Sequence, residues 1–186
     1  MNACKLALEN KLSMGDTLKM MAMMTTTIAD AVITAWTGKV RQLERFLWLS
    51  CVALHHTFAH QYTYDQWRPV TAIPAGGGFP GGRVDGEWLP LLPTPPFPDY
   101  ISGHSTLGAA AATILEHFLG KTTPVSLYSP TSGMAGVLRS WPSLDAAQSE
   151  NAYSRVYGGV HWRSSCADAV AAGKALGSFA LSAWNY

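Results

Sequence analysis

Two short segments, Pro98-Asp99-Tyr100-Ile101-Ser102-Gly103-His104-Ser105 and Ser154-Arg155-Val156-Tyr157-Gly158-Gly159-Val160-His161, carry two imidazoles, a guanidinium, a hydroxyl and a glycine in compact array. A third, Trp67-Arg68-Pro69, adds another guanidinium. These groups suit a tetrahedral oxyanion. Guanidinium forks match its oxygens in pairs, and Gly103 lets a backbone N–H approach an anion closely. Arg68 and Arg155 are expected to neutralise equatorial oxygens, while His104 donates or takes a proton at the apical one. His161 offers a ring nitrogen as metal ligand or as nucleophile.

The elements that must hold these groups read as helices separated by Pro- and Gly-rich loops. Ser13 with Asp16 makes a capping box, and Leu18, Met21, Thr25, Ile28 and Val32 follow at helical spacing, predicting a helix from Met14 to Trp36 with Gly38 as its C-cap. A long irregular loop with Gly76-Gly77-Gly78, Gly81-Gly82 and repeated prolines leads to the first motif. A second helix starts at Ser102, where free N–H groups and the helix dipole favour an anion, with Leu107, Ala111, Ile114, Leu115 and Phe118 on one face. Val125–Tyr128 and Val137–Ser140 predict a small hairpin. Ser143 caps a third helix running into Arg155, and Gly158-Gly159 breaks it before His161. Ser165 with Asp168 predicts a capping box for a last helix that turns Val170, Ala171, Leu176 and Phe179 inward. The fold class is all-α, a helical bundle.

Composition limits what these elements serve. The 186 residues are 48% hydrophobic and 13% charged, enough for one core in a single domain. With 13 Lys+Arg against 12 Asp+Glu, no global field attracts nucleic acid or anionic lipid, so an anion site must be built locally. Residues 1–11 carry Lys5, Glu9 and Lys11 where a signal peptide needs an apolar run, so no signal peptide is evident. The apolar stretch from Phe46 ends at Leu54, too short to span a bilayer. Cys4, Cys51 and Cys166 read as buried thiols, His55, His56, His60 and His117 as surface or core histidines, and Met20, Met21, Met23 and Met24 as packing.

The motif set resembles the vanadium-dependent haloperoxidase family, in the superfamily shared with class A acid phosphatases and type 2 phosphatidic acid phosphatases. The likeness extends through Leu6-Ala7-Leu8-Glu9-Asn10, Ala29-Asp30-Ala31, Trp67 to Ile73, Leu92-Pro93-Thr94-Pro95-Pro96 and Gly159-Val160-His161-Trp162-Arg163. It implies a helical bundle with vanadate as cofactor and hydrogen peroxide and halide as substrates. It also implies His161 as the vanadium ligand, His104 as acid-base group, and Arg68, Arg155, Ser102 and Gly103 as vanadate-binding residues. Phe97, seven residues before His104, occupies a place that resembles the chloroperoxidases and implies chloride oxidation at mildly acidic pH.

Three departures bear on that expectation. The family's pattern is a lysine, six residues, then Arg-Pro, but seven before Arg68 stands Gln61. The segment Ala35-Trp36-Thr37-Gly38-Lys39 looks like the one that ends in the family's lysine, which leaves residues 40–61 without a counterpart. Codons for Val40, Arg41 and Gln61 can carry the signals that bound an intron. The expectation is therefore a retained intron translated in frame, with a genuine helical insertion carrying Leu43, Phe46, Leu47 and Leu54 as the alternative. Secondly, the family often has Asp four residues after the ligand histidine, where this chain has Ser165, which puts orientation of His161 by a carboxylate in doubt. Thirdly, the family domain has further helices before the region matched by Leu6, so residues 1–186 are expected to form one domain cut from the C-terminal part of a larger one.

The combined expectation is a vanadate-dependent haloperoxidase that oxidises halide to hypohalous acid, with Lys39 as a further vanadate-binding residue. The alternatives are an acid phosphatase working through a phosphohistidine at His161, and an inactive fragment. No nucleic-acid partner and no membrane span are expected, and homo-oligomerisation stays open.

Overall fold

The computed structural model describes residues 2–39, 64, 66–78, 82–128 and 136–184. The interval 40–61, with Cys51, His55, His56 and His60, lies outside the described residues. The elements run α1 (Asn2–Glu9), α2 (Met14–Lys39), α3 (Pro69–Ala72), α4 (Gly103–Leu119), β1 (Val125–Tyr128), β2 (Leu138–Trp141), α5 (Leu144–Tyr157) and α6 (Arg163–Ala183). The all-α expectation holds, with one antiparallel hairpin pairing Val125 with Trp141.

Helix α4 is the central element, flanked by α6, α2 and α5. Its contact with α6 is close because both faces are built from small residues. A Cβ on Gly173 would strike Thr106 O and Ala109, and one on Gly177 would meet Thr113 Cβ at 2.6 Å. The backbones therefore approach more nearly than Leu or Phe at those positions would allow. A second body of apolar contacts, from Leu6, Ala7, Met20, Leu115, Val125 and Leu144, ties α1 and the hairpin to the bundle.

Several local expectations hold and others are corrected. Ser13 Oγ accepts from Asp16 N at 3.0 Å, and Ser143 Oγ accepts from Ala146 N at 3.1 Å, so both caps form. Helix α2, however, continues past Trp36 to Lys39, with Gly38 inside it. Its deeply buried residues are Met20, Met23, Thr27, Ala31 and Ala35, a face rotated from the one predicted. The last helix starts at Arg163 after Trp162, and Ser165 lies buried in its first turn rather than capping it. The residues of α6 that face the core are Ser165, Cys166, Ala169, Gly173 and Gly177, while Phe179 is 68% exposed. Cys4 is exposed and Cys166 buried. By length and composition α2 could cross a bilayer, alone among the described helices, although here it packs along α4 and α6.

Candidate active site

The candidate residues come from five separate parts of the chain and converge at one end of α4. Lys39 is the last residue of α2 and is buried, with Nζ donating to Pro98 O at 2.9 Å and Asp99 O at 3.0 Å. An ammonium has three donors, so one is left for another acceptor. Burial, with the nearby Arg68 cation, lowers the Lys39 pKa to about 8.

Arg68 precedes α3 and is buried. Its Nε donates to Phe97 O at 2.8 Å and its Nη1 to Val160 O at 2.6 Å. The same Nη1 lies 3.2 Å from His161 Nε2. Phe97 packs against both cations, its ring centroid 5.1 Å from Lys39 Nζ and 4.9 Å from the Arg68 guanidinium. The quadrupole of the ring offsets part of the cost of holding two positive charges out of water.

Ser102 is the N-cap residue of α4 and is fully buried. Its hydroxyl accepts from Ser105 Oγ at 2.9 Å. Gly103 and His104 open the helix, where unpaired N–H groups point outward. His104 is held from behind by Asn151, whose Nδ2 donates to His104 O at 3.0 Å. Burial, then the Arg155 and His161 charges, lower the His104 pKa below its ordinary value, which keeps the ring neutral near pH 7.

Arg155 and His161 are fixed to each other by the turn that ends α5. Arg155 O accepts from Val160 N at 3.1 Å and His161 N at 3.3 Å. The turn requires Gly159, which has φ +71°, and a Cβ there would meet Pro90 Cα at 3.0 Å. The predicted irregular loop closes over this corner, with Leu92 N donating to Gly158 O at 3.1 Å.

Lys39, Phe97, Gly103, His104, Arg155 and His161 share the wall of one cavity of about 590 Å³. Its remainder is largely apolar, with Ile28, Val32, Leu107, Ala111 and Leu144 contributing. Arg68 and Ser102 stand just behind that wall. Two buried guanidinium nitrogens, Arg68 Nη2 and Arg155 Nε, have no hydrogen-bond partner among the described residues. A buried donor left unpaired costs free energy that an anion's oxygen would relieve. The donor set therefore fits a vanadate- or phosphate-like ion. Among the described residues no three His, Cys, Asp or Glu side chains cluster to cage a bare cation.

One member of the site is not apparent from the motifs. Asp99 is fully buried, and its Oδ1 lies 2.8 Å from His161 Nδ1. A carboxylate thus stands beside His161 after all, from the loop before α4 rather than from position 165. The distance suits a hydrogen bond, although the ring N–H is not squarely aimed at the oxygen. The sequence carries the residue inside the first motif but gives no signal of its partner. His117, by contrast, lies on the exposed last turn of α4, as a surface histidine.

The family model for the VCPO second helical-bundle domain matches residues 50–185. Among solved structures the chain is similar to a bacterial vanadium-dependent iodoperoxidase, with 29% identity over 97% of this chain and a TM-score of 0.73. This chain covers 37% of that iodoperoxidase's length. A bacterial vanadium-dependent chloroperoxidase in its holo form matches 51% of this chain and 22% of its own, at 22% identity and a TM-score of 0.41. No curated protein matches the sequence. With the family match extending over most of the chain, the protein belongs to the vanadium haloperoxidase family, in the part that forms its second helical bundle.

Proposed function

We propose that the chain binds vanadate between His161, Arg68, Arg155, Lys39 and the N-terminus of α4, and oxidises halide with hydrogen peroxide to hypohalous acid. The observation that carries this reading is the pair of buried guanidinium nitrogens, Arg68 Nη2 and Arg155 Nε, left without partners among the described residues, with Arg155 sharing a cavity wall with His161. Bound vanadate would supply a Lewis acid that activates peroxide without changing its own oxidation state.

The chain's own residues do the rest. His161 offers Nε2 as the ligand atom. Arg68, Arg155 and Lys39 balance the charge of the oxygens, joined by the N–H of Gly103. Ser102 supports the start of α4, its buried hydroxyl accepting from Ser105 Oγ at 2.9 Å and remaining able to donate its own proton to the anion. His104 is neutral near pH 7 and takes a proton from entering peroxide at a ring nitrogen. Phe97 keeps water from the two cations behind it and so strengthens their field.

Lys39 belongs to this set although it lies 29 positions before Arg68 in sequence. Asp99 accounts for the proximity, since its O accepts from Lys39 Nζ at 3.0 Å and its N donates to Gln66 O at 3.0 Å. The two flanks of the 40–61 interval therefore meet at one residue. This supports reading residues 1–186 as one domain, with 40–61 interposed between two parts of a single site.

The test is a halide-oxidation assay, with iodide and bromide first, on purified protein with and without vanadate, beside hydrolysis of a phosphate monoester. Vanadate-dependent halide oxidation is the expected result. Ester hydrolysis without halide oxidation would replace this reading with a phosphatase acting through His161. Neither activity would leave an anion-binding fragment.

A further inference from the structure

His161 has two ring nitrogens, and each faces a partner of one kind only. Arg68 Nη1 lies 3.2 Å from Nε2, and a guanidinium can only donate. Nε2 must therefore present its lone pair. Asp99 Oδ1 lies 2.8 Å from Nδ1, and a carboxylate can only accept. The proton therefore belongs on Nδ1. Both neighbours select the same tautomer, the one that leaves Nε2 free to ligate.

We infer that Asp99 is the positioning residue for His161, an acceptor-only carboxylate that holds the proton on Nδ1 and aims Nε2 at the bound oxyanion. This rests on His161 being the anion's ligand, as proposed above. It also deepens that reading, because the carboxylate comes from the loop before α4 and lies 62 residues from the histidine in sequence.

The backbone of Asp99 is built to hold that aim. Its N–H donates to Gln66 O, and its carbonyl oxygen accepts from Lys39 Nζ at 3.0 Å and Ser165 Oγ at 3.1 Å. Three elements thus pin one residue. Ser165, four residues after His161, contributes a short hydroxyl that ties down the Asp99 backbone, and its own carbonyl accepts from Ser102 N at 3.3 Å. Asp99 Oδ2 has no partner and Oδ1 makes only the 2.8 Å contact with Nδ1, without a well-aimed hydrogen bond, among the described residues, and burying a carboxylate so incompletely paired is costly. A packing role alone would be served better by an apolar side chain of similar volume. The arrangement is explained if the carboxylate works on the ring.

The experiment compares wild type, Asp99→Asn and Asp99→Ala in the full chain, with two readouts. The first is the His161 tautomer by ¹⁵N–¹H correlation spectra recorded without any anion. The second is calorimetric affinity for inorganic vanadate. In wild type a single Nδ1–H tautomer is expected. Asp99→Ala, with Arg68 Nη1 still facing Nε2, should raise the Nε2–H share above that of wild type without making it dominant, and weaken vanadate by about 10- to 100-fold, the usual effect of losing a partner behind a metal ligand. Asp99→Asn, nearly isosteric, should fall between, because its amide can present N–H as well as C=O to the ring. It also decides the matter if the alanine variant does not fold. An Asn variant with the wild-type tautomer and affinity would overturn the assignment. If wild type itself binds no vanadate, the proposed function fails, while the tautomer comparison still judges Asp99 independently.

Discussion

Arg68 Nη1 and His161 Nε2 stand 3.2 Å apart, so a buried cation rests against a ring nitrogen of a buried histidine. The other guanidinium nitrogen, Arg68 Nη2, is buried without a partner among the described residues and is open to an anion's oxygen. The arrangement separates the two histidines, since His161 lies within this contact while His104 lines the same cavity from the first turn of α4.

His161→Ala should abolish vanadate binding and with it halide oxidation, as measured by calorimetry and turnover. Near-wild-type activity in that variant would remove His161 from the ligand role. His104→Ala should leave vanadate affinity measurable while turnover falls by about 10² to 10⁴, the range for loss of a general acid-base group. The pH profile follows from the lowered His104 pKa. The neutral ring persists below pH 6.5, the ordinary histidine value, so the activity lost on acidification should fall away below that pH rather than at it. A limb centred at or above 6.5 would assign the proton transfer elsewhere.

Lys39 should make stability depend on alkaline pH. Its pKa is about 8 in the folded chain against 10.5 when unperturbed. Between those values the unfolded chain holds a proton that the folded one has shed, so folding stability rises with pH across that window. The sign is that of a buried cation relieved of its charge. Added phosphate should suppress the rise, because an anion beside the ammonium keeps it protonated. Thermal melts from pH 7.5 to 10.5, with and without phosphate, check this. Lys39→Met should flatten the dependence and weaken anion binding. Unchanged phosphate affinity in that variant would make Lys39 an ordinary buried lysine.

Deleting residues 40–61 should raise both stability and vanadate affinity. Lys39 and Gln66 already meet at Asp99, so the residues from Tyr62 to Trp67 are expected to bridge the remaining gap to Arg68. Calorimetry and melting curves of the shortened chain measure both quantities. A less soluble product with no gain in affinity would mark the interval as native structure, as would a mature transcript that retains all of its codons.

Chloride oxidation at mildly acidic pH should be measurable in vanadate-saturated protein, beside the easier oxidation of bromide and iodide. Phe97 covers Lys39 and Arg68 with an apolar ring and brings no further imidazole to the centre, so their field is little screened by water. Turnover with bromide or iodide but none with chloride would detach halide preference from Phe97 while leaving the family assignment intact.

Much of the site was legible in the sequence because its chemistry sits in short contiguous runs. Ser102-Gly103-His104 at a helix start, and Arg155 six residues before His161 across a glycine break, keep their relative placement through local backbone geometry. Helices α2, α4, α5 and α6 and the hairpin were legible for the same reason, from caps, periodicity and breakers, whereas the short α1 and α3 were not. Which face of each helix turned inward was not. Val170, Leu176 and Phe179 gave α6 an apolar stripe, yet Gly173 and Gly177 are the residues that let it lie against Ala109 and Ala110 of α4. Close backbone approach outweighed side-chain size there, and periodicity cannot register it. The pairing of Asp99 with His161 was likewise decided only by the tertiary structure. Residues 62 apart in sequence exert no force on each other until α2, α4 and α6 pack, and only then does the loop before α4 carry a carboxylate to within 2.8 Å of the ring.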